Sequence, residues 1–533
     1  MERIVPIGDG TEVAAPGAAR RWPLYGSAAS RAIERQAAEG LPPHALMQRA
    51  GQAVTRLARA WHPHARRVLV VTGGGNNGGD GWLAAALLQR HLRGIPGASV
   101  QVWPLGPTAR MPDDARWAWA EARAAGVDVI EAPTPPATPA TPADLIIDAV
   151  FGLGLSRPVD GPARDALRWL HGCPVPTLCV DLPSGLDADT GHWWIDAPPQ
   201  PGGPRITLSL LTLKSGLFTG LGRACAGEAI WFDDLGVAPA PQHAPDAWLA
   251  TPSRWPDVPA LRRAHASHKG SRGDVVVVGG QLPSASDGVG MAGAAVLAAR
   301  AALRAGAGRV YVGLLNGEAT LPPWDGGQPA LMLRTAQAVL ASALPEQAVV
   351  VAGCGGGASM AEVLPALLAR APRLVLDADA LNALGPAARE GARSPAAPGD
   401  PWALRRAAGW RTVLTPHPLE AARLLGTDVA GVQADRLGAA RALAHRLGAT
   451  IVLKGSGTVI AAPDGAPIVN ASGDGLLASA GTGDVLAGLI GARLAHGDAN
   501  DLPAAIAEAV AAHGRLTQRW TGAWPPTATD LLD

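Results

Sequence analysis

Short β-branched runs alternate with Ala/Leu/Arg-rich helical stretches along most of the chain, and that alternation leaves few folds open. Strands joined through helices lie parallel in a sheet covered on both faces, so the α/β class follows. In the first half, strands are expected over 68–71, 100–103, 127–130, 145–149 and 177–180, with a further pair over 206–210 and 229–232. Helices are expected over 27–39, 45–60, 81–92, 114–125 and 163–170. In the second half the strand positions are 274–278, 309–312, 348–351, 374–376, 412–414, 450–453 and 459–461, with long Ala-rich helices at 293–305 and 483–495 among those between them. A Pro/Ala-rich stretch without periodicity, 238–262, reads as a linker between bodies at 1–237 and 263–533. The Pro/Thr run 132–143 reads as a loop and 385–401 as a surface insertion.

Composition narrows the function classes. Lys+Arg and Asp+Glu are 45 each, and this balance argues against a nucleic-acid or anionic-membrane binder. Four cysteines without a CxxC signal neither a disulfide framework nor a zinc site. The start, MERIVPIGDG, has no apolar signal region, and the most apolar stretch, 289–308, carries Arg300 and Arg304. A soluble cytoplasmic homo-oligomer is expected. Only three of the 45 cations are lysines, Lys214, Lys269 and Lys454. Where lysine survives against arginine, a position can call for a compact ammonium rather than a planar fork.

The sharpest motif runs from Thr72 through three glycines to Asn76, Asn77, Gly78, Gly79, Asp80 and Gly81, after a strand and opening a helix. Glycines there admit close backbone approach, and N–H groups at a helix start form an anion nest. The GxGxxG dinucleotide fingerprint lacks these paired asparagines. A turn that merely needs glycine is the plainer alternative. Asp148 and Asp181 each close a strand, where ligands of an open parallel sheet sit. Asp187 and Asp189 read as turn caps. Asn77, Asp148 and Ser184 together offer hard oxygens suited to an alkali or alkaline-earth cation. In the second half, Gly481-Thr482-Gly483-Asp484 enters a helix, pointing N–H groups at a developing phosphoryl charge beside a carboxylate able to take a hydroxyl proton. A simple Gly/Asp cap is the bland reading. Lys454-Gly455-Ser456-Gly457-Thr458 joins two strands and can cradle a phosphate, without P-loop spacing. His417, between prolines, stands at another strand end.

GGGNNGGDG, DAVFGLGL, VDLPSGLDADTG and LTLKSGL, over about 20–235, resemble the NAD(P)H-hydrate epimerase family, which implies a Rossmann-like three-layer domain. By that resemblance Asn76–Asp80 and Gly152, Leu153, Gly154, Leu155, Ser156, Arg157 and Pro158 hold the hydrated nicotinamide nucleotide. It further implies Asp181 at the reacting carbon as general acid–base, and K+ on Asn77, Asp148 and Ser184. SHKGSRGDVVVVGG, LDADALNAL, LTPHPLEAARLL, VLKGSGTVIA and SAGTGDVLAG, over about 263–520, resemble the ADP-dependent NAD(P)H-hydrate dehydratase, a ribokinase-like α/β domain. That resemblance implies S-hydrate contacts at Ala294, Gly355, Gly357, His417 and Asp484, and adenine nucleotide on Lys454–Thr458 and Gly483. It implies Mg2+ bridging the phosphates and transfer of the ADP β-phosphate to the C6 hydroxyl. Cys354 departs from the usual GPGLG pattern of the 353–357 loop, and 321–325 and 328–330 depart from a stretch that usually ends in Pro-Glu. A bifunctional repair enzyme acting on NADHX and NADPHX with ADP is the leading reading. The rivals are a ribokinase-like kinase of a small alcohol with a regulatory first domain, and a first half that binds without turnover.

Overall fold

The computed structural model describes residues 1–4, 22–106, 110–131, 143–196, 202–250, 255–256, 265–283, 290–315, 326–391, 400–497 and 501–532. Most of the 132–143 loop and the stretch 321–325 lie outside them. The chain divides into two compact units, one built mainly of Trp22–Ala247 and the other of Trp248–Asp533.

The first unit is organised on β1 (Glu2–Ile4), β2 (Trp22–Tyr25), β3 (Arg67–Thr72), β4 (Ser99–Pro104), β5 (Asp128–Val129), β6 (Leu145–Ala149), β7 (Thr177–Val180), β8 (Arg205–Leu210), β9 (Leu213–Lys214) and β10 (Ala229–Asp233). Its eight-stranded sheet has the order β1-β10-β8-β7-β6-β3-β4-β5, parallel except for β1 against β10. Residues of β3, β6, β7 and β8 are almost all buried, which is why those segments read as continuous apolar runs rather than alternating ones. The chain moves outward to β4 and β5 on one side of β3 and to β6, β7 and β8 on the other. The order therefore reverses between β3 and β6, and the crevice beyond their carboxyl ends is where such a sheet takes its ligand.

The second unit contains β11 (Ala247–Leu249), β12 (Asp274–Gln281), β13 (Arg309–Leu315), β14 (Met332–Thr335), β15 (Val349–Ala352), β16 (Arg373–Leu376), β17 (Arg411–Leu414), β18 (Thr450–Leu453), β19 (Thr458–Ala461) and β20 (Ile468–Asn470). The order β14-β13-β12-β15-β16-β17-β18-β19-β20 is parallel up to β18, and β19 and β20 add antiparallel. Its reversal falls between β12 and β15. The helices Ala292–Arg304 and Thr482–Ala495 cover one face, packed so closely that a Cβ on Gly488 would come within 2.9 Å of Ala301 Cβ. Small side chains on both helices permit that approach, which explains their Ala/Gly content.

Several elements differ from expectation. The segment read as linker contributes β11, whose Trp248 and Leu249 pair with Ile468 and Val469 of β20. The sequence offered only Trp-Leu as an apolar cue amid prolines. The helix Ala378–Gly391 runs into the stretch read as a surface insertion, so the chain stays helical past Gly385 and Pro386. No helix among the described residues is long and apolar enough to cross a membrane.

Candidate functional site

The first crevice is shaped by one early helix start. The helix begins at Asn76, not near Gly81 as expected, so Asn76, Asn77, Gly78, Gly79 and Asp80 form its first turns. Glycine permits the tight packing beneath it: a Cβ on Gly81 would lie 2.6 Å from Ala149 Cβ, and one on Gly79 2.9 Å from Ala115 Cα. The glycines therefore seat the helix against β3 and β6 and leave the asparagines facing the crevice. Both amide atoms of Asn77 are buried without a hydrogen-bond partner. An amide desolvated in this way costs free energy unless a ligand completes it.

Asp148 ends β6 fully buried, accepting hydrogen bonds from Ser184 Oγ at 2.5 Å and Ser184 N at 2.9 Å. His171 Nε2 meets the Ser184 carbonyl at 2.7 Å, and burial pushes its imidazole down to about 4, so it is neutral at pH 7 and serves as a packing donor. Asp181 follows β7 with φ +66, a left-handed conformation rare for a non-glycine residue and frequent at working sites. Its Oδ1 forms an ion pair with Lys214 Nζ and accepts from Leu210 N at 3.2 Å. Gly152 comes close to both groups: a Cβ there would sit 3.2 Å from Asp181 Oδ2 and 3.3 Å from Asn77 Cγ. Asp181, Asn77 and Gly152 thus meet in one place. Arg31 donates to the Leu153 carbonyl at 3.1 Å and supports that segment. Burial lifts the Asp80 carboxyl well above its usual range, with Asp181 and Glu34 adding to the effect, and Glu34 itself is raised by burial. Glu34 was invisible from sequence, being one of two acids on an amphipathic helix. Asp187 does cap its turn, accepting from Asp189 N at 3.0 Å and Thr190 N at 2.9 Å, while Asp189 accepts from Ser27 N at 2.6 Å.

Because a methyl group on Gly152 would press on Asp181 Oδ2 at 3.2 Å and on Asn77 Cγ at 3.3 Å, Gly152→Ala displaces both side chains together. Roughly a tenfold to hundredfold loss of first-unit turnover is expected from such a misplacement. The second unit's turnover, measured in the same preparation, should be untouched.

In the second unit, Gly481 takes φ +87 and caps the helix that begins at Thr482, placing Gly483 and Asp484 in the first turn. Burial, reinforced by Asp377, raises the Asp484 carboxyl to about 6. Cys354, Asp377 and Asp484 present ligand atoms within 4.8 Å of one another. Asp377 closes β16, is 2% exposed, and accepts from Lys454 Nζ at 2.6 Å and Thr415 Oγ1 at 2.7 Å. The LDADAL motif by itself gives Asp377 no role, although the strand-end rule that picks out Asp148 and Asp181 applies equally to it. Lys454 opens the β18–β19 hairpin turn. Burial alone would depress its ammonium, but Asp377 and Glu420 outweigh that and hold it above its ordinary value. Under the turn lies Arg436, 1% exposed, donating to the carbonyls of Leu453 at 3.2 Å and Lys454 at 3.0 Å. Gly455 and Gly457 have φ +128 and +66, so the Lys454–Thr458 turn depends on both glycines.

Ala294 and Gly355 adjoin, a Cβ on Gly355 lying 2.9 Å from Ala294 Cβ. Gly357 N donates to Asp379 Oδ2 at 2.8 Å. His417 caps the helix Pro418–Leu425 through Nδ1, and Glu420 answers by accepting from His417 N at 2.8 Å. Burial lifts Glu420 to about 7. Nδ1 is thus taken up by the cap, and Nε2 lies 3.3 Å from Glu420 Oε1, so the ring is held on both sides by its own helix start. Lys269 is exposed on the short turn Lys269–Arg272.

Two family models match the chain: NAD(P)H-hydrate dehydratase over residues 275–532 and YjeF-related protein N-terminus over 43–216. The bifunctional NAD(P)H-hydrate repair enzyme of Escherichia coli is 35% identical over 486 residues, 86% of this chain and 83% of that protein. The chain belongs to the bifunctional NAD(P)H-hydrate repair enzyme family. A shorter relative, the ADP-dependent (S)-NAD(P)H-hydrate dehydratase of Neisseria meningitidis, is 45% identical over 47% of this chain and 78% of its own length. Among solved structures, the ADP/ATP-dependent NAD(P)H-hydrate dehydratase of Bacillus subtilis, co-crystallised with ATP and Mg2+, is 31% identical over 51% of this chain and 90% of that one, with a TM-score of 0.41. The expected α/β class holds in each unit. Family membership leaves each residue's task to the chemistry of its surroundings.

Proposed function

We propose that the first unit interconverts the R and S forms of C6-hydrated NADH and NADPH, and that the second dehydrates the S form with ADP, releasing NAD(P)H, AMP and phosphate. One observation carries this reading: each unit sets an acid and a glycine-bounded helix start at the reversal point of its sheet. In the first, Asp181 is the proton-transfer group. A proton reaches the C6 oxygen as the C–O bond breaks, and it returns from the water that adds on the other face. Asn76–Asp80 and Gly152–Pro158 hold the nucleotide. In the second, Asp484 takes the proton from the C6 hydroxyl as that oxygen attacks the β-phosphorus. The bond from the β-phosphorus to the bridging oxygen breaks and AMP leaves; phosphate then departs from C6 with the C–O electron pair as C5 gives up a proton to solvent, which restores the double bond of NAD(P)H. The Gly483 N-terminus and Lys454–Thr458 bind the phosphates, with Ala294, Gly355, Gly357 and His417 against the hydrate.

A K+ ion fits the first unit. Asp148 is a fully buried carboxylate with which no lysine or arginine among the described residues forms an ion pair, and such a charge calls for a partner. Ser184 Oγ and the unpartnered Asn77 Oδ1 complete a hard-oxygen set. K+ there would supply a fixed positive charge that orders the 148–154 and 181–184 turns around the substrate. For Mg2+, which bridges phosphates in transfers of this kind, the hard donor at hand is Asp377. Cytoplasmic location and homo-oligomeric assembly remain part of the proposal.

The rival kinase reading is separated by one experiment. Purified protein is given mixed NADHX epimers and regenerated NADH is followed by absorbance, with and without ADP. Full recovery with ADP supports both activities; recovery of the S fraction alone removes the epimerase, and phosphorylation of another alcohol without recovery favours the kinase. Asp181→Asn is expected to restrict recovery to the S fraction while leaving its rate unchanged.

A further inference from the structure

We propose that Lys214 is a positioning residue for the first unit's reaction: it ties down one oxygen of Asp181 so that the other is the single atom presented to substrate. This rests on the epimerase reading and goes beyond it, because motif reasoning left Lys214 without a task.

The ammonium is committed in several directions. Lys214 is 1% exposed on β9, which pairs parallel with β2 through Leu24–Leu213 and Tyr25–Lys214. Its Nζ pairs with Asp181 Oδ1, donates to the Leu210 carbonyl at 2.6 Å, and lies 3.5 Å from Ser209 Oγ. Ser209 Oγ is itself fixed by donating to the Thr212 carbonyl at 2.9 Å. Three N–H groups therefore meet three oxygens, and a planar guanidinium would not fit that compact arrangement.

On the acid's side the two oxygens are unlike. Oδ1 receives both Lys214 Nζ and Leu210 N, whereas Oδ2 faces the space beside Gly152 and Asn77. The left-handed backbone of Asp181 is anchored beside these contacts by Asp181 N donating to the Leu208 carbonyl at 2.7 Å. Stability alone does not account for the pair. A buried lysine–carboxylate pair adds little over apolar residues of similar volume, yet it fixes a geometry. The surroundings sharpen the need for a cation. Glu34 and Asp80 face the same region, and the Lys214 charge opposes the upward pull of burial on both.

The full-length protein carries its own test. Pure R-NADHX with excess ADP reports epimerisation, and pure S-NADHX reports the second unit. Lys214→Gln is expected to lower kcat on the R epimer by roughly tenfold to a hundredfold with KM little changed, as for a misplaced reacting group. Rates on the S epimer should stay at the wild-type level. Lys214→Ala should regain part of its kcat with n-propylammonium but not with n-propanol. A variant that epimerises at the wild-type kcat overturns the proposal, as does equal rescue by the alcohol. Loss of kcat, KM and thermal stability together in both variants does so too, because it marks a packing role alone. A wild-type protein idle on the R epimer overturns the epimerase reading itself, and is thereby distinguished from failure of Lys214.

Discussion

Asp484→Asn should reduce ADP-dependent recovery of NADH from the S epimer by roughly 10²- to 10⁴-fold, the span seen when a general base is lost. The amide keeps the shape of the carboxylate at the helix start but cannot accept the hydroxyl proton. Because burial, with Asp377 adjoining, raises Asp484 to about 6, the wild-type rate should climb with pH through that value on its acid side. The Asn variant should lose this limb. Stability should move the opposite way. A carboxyl with a folded pKa above its unfolded value favours folding most below the unfolded pKa, and that advantage is lost as pH rises through about 6. At pH 7 the ionised acid is therefore a burden on the fold. Asp484→Asn should melt at or above the wild-type temperature, by at most on the order of 3 kcal/mol from a shift of this size. An Asn variant that turns over within threefold of wild type would show that another group takes the proton.

Sequence legibility followed the physics of each element. Strands buried on both faces, such as β3, β6, β12 and β18, show as unbroken β-branched runs and were placed within a few residues. Short edge and pairing strands carry little signal: β1, β9, β11 and β20 have two or three residues each, and their pairing is set by distant neighbours. The helix start at Asn76 runs against local propensity because the three glycines Gly78, Gly79 and Gly81 in its first turns are poor helix formers. Tertiary packing outweighs that propensity, since only glycine fits against Ala115 and Ala149.

The sites divide the same way. Asp148, Asp181, Ser184 and Asn77 could be found because each closes a strand or sits in a glycine-bounded turn, and the structure brings Asp148 to Ser184 and Asp181 to the Asn77 side of Gly152. What sequence cannot show is which charge faces which. Lys214 and Lys454 looked alike as lysines in an arginine-rich chain. Each proves to pair with a strand-end aspartate, Asp181 in the first unit and Asp377 in the second. The pairing partner depends on how strands lie side by side, a fact that spacing along the chain does not carry.

Lys454→Met is the change expected to cost the second unit most in stability. It removes the only cation within ion-pair distance of Asp377 among the described residues and leaves that carboxylate 2% exposed, with Thr415 Oγ1 as its remaining side-chain donor. Breaking a buried pair from one side costs about 3–5 kcal/mol, because the surviving charge stays desolvated. For a unit of this size that corresponds to a fall of about 10 °C in its melting transition. Glu420, 4.0 Å from the same ammonium, should rise further above its value of about 7 once the cation is gone. The double variant Lys454→Met/Asp377→Asn removes the stranded charge and should recover most of the lost stability while remaining unable to grip the nucleotide phosphates. Calorimetry of the wild type, Lys454→Met, Asp377→Asn and the double variant resolves the two contributions, with the first unit's transition as an internal reference. If the single variant melts within two degrees of wild type, Asp377 is reached by water and the desolvation argument for this site is wrong. If the double variant regains ADP binding along with stability, the lysine served the fold and not the phosphate, and nucleotide recognition falls to the backbone N–H groups of Gly483 and the 455–457 turn.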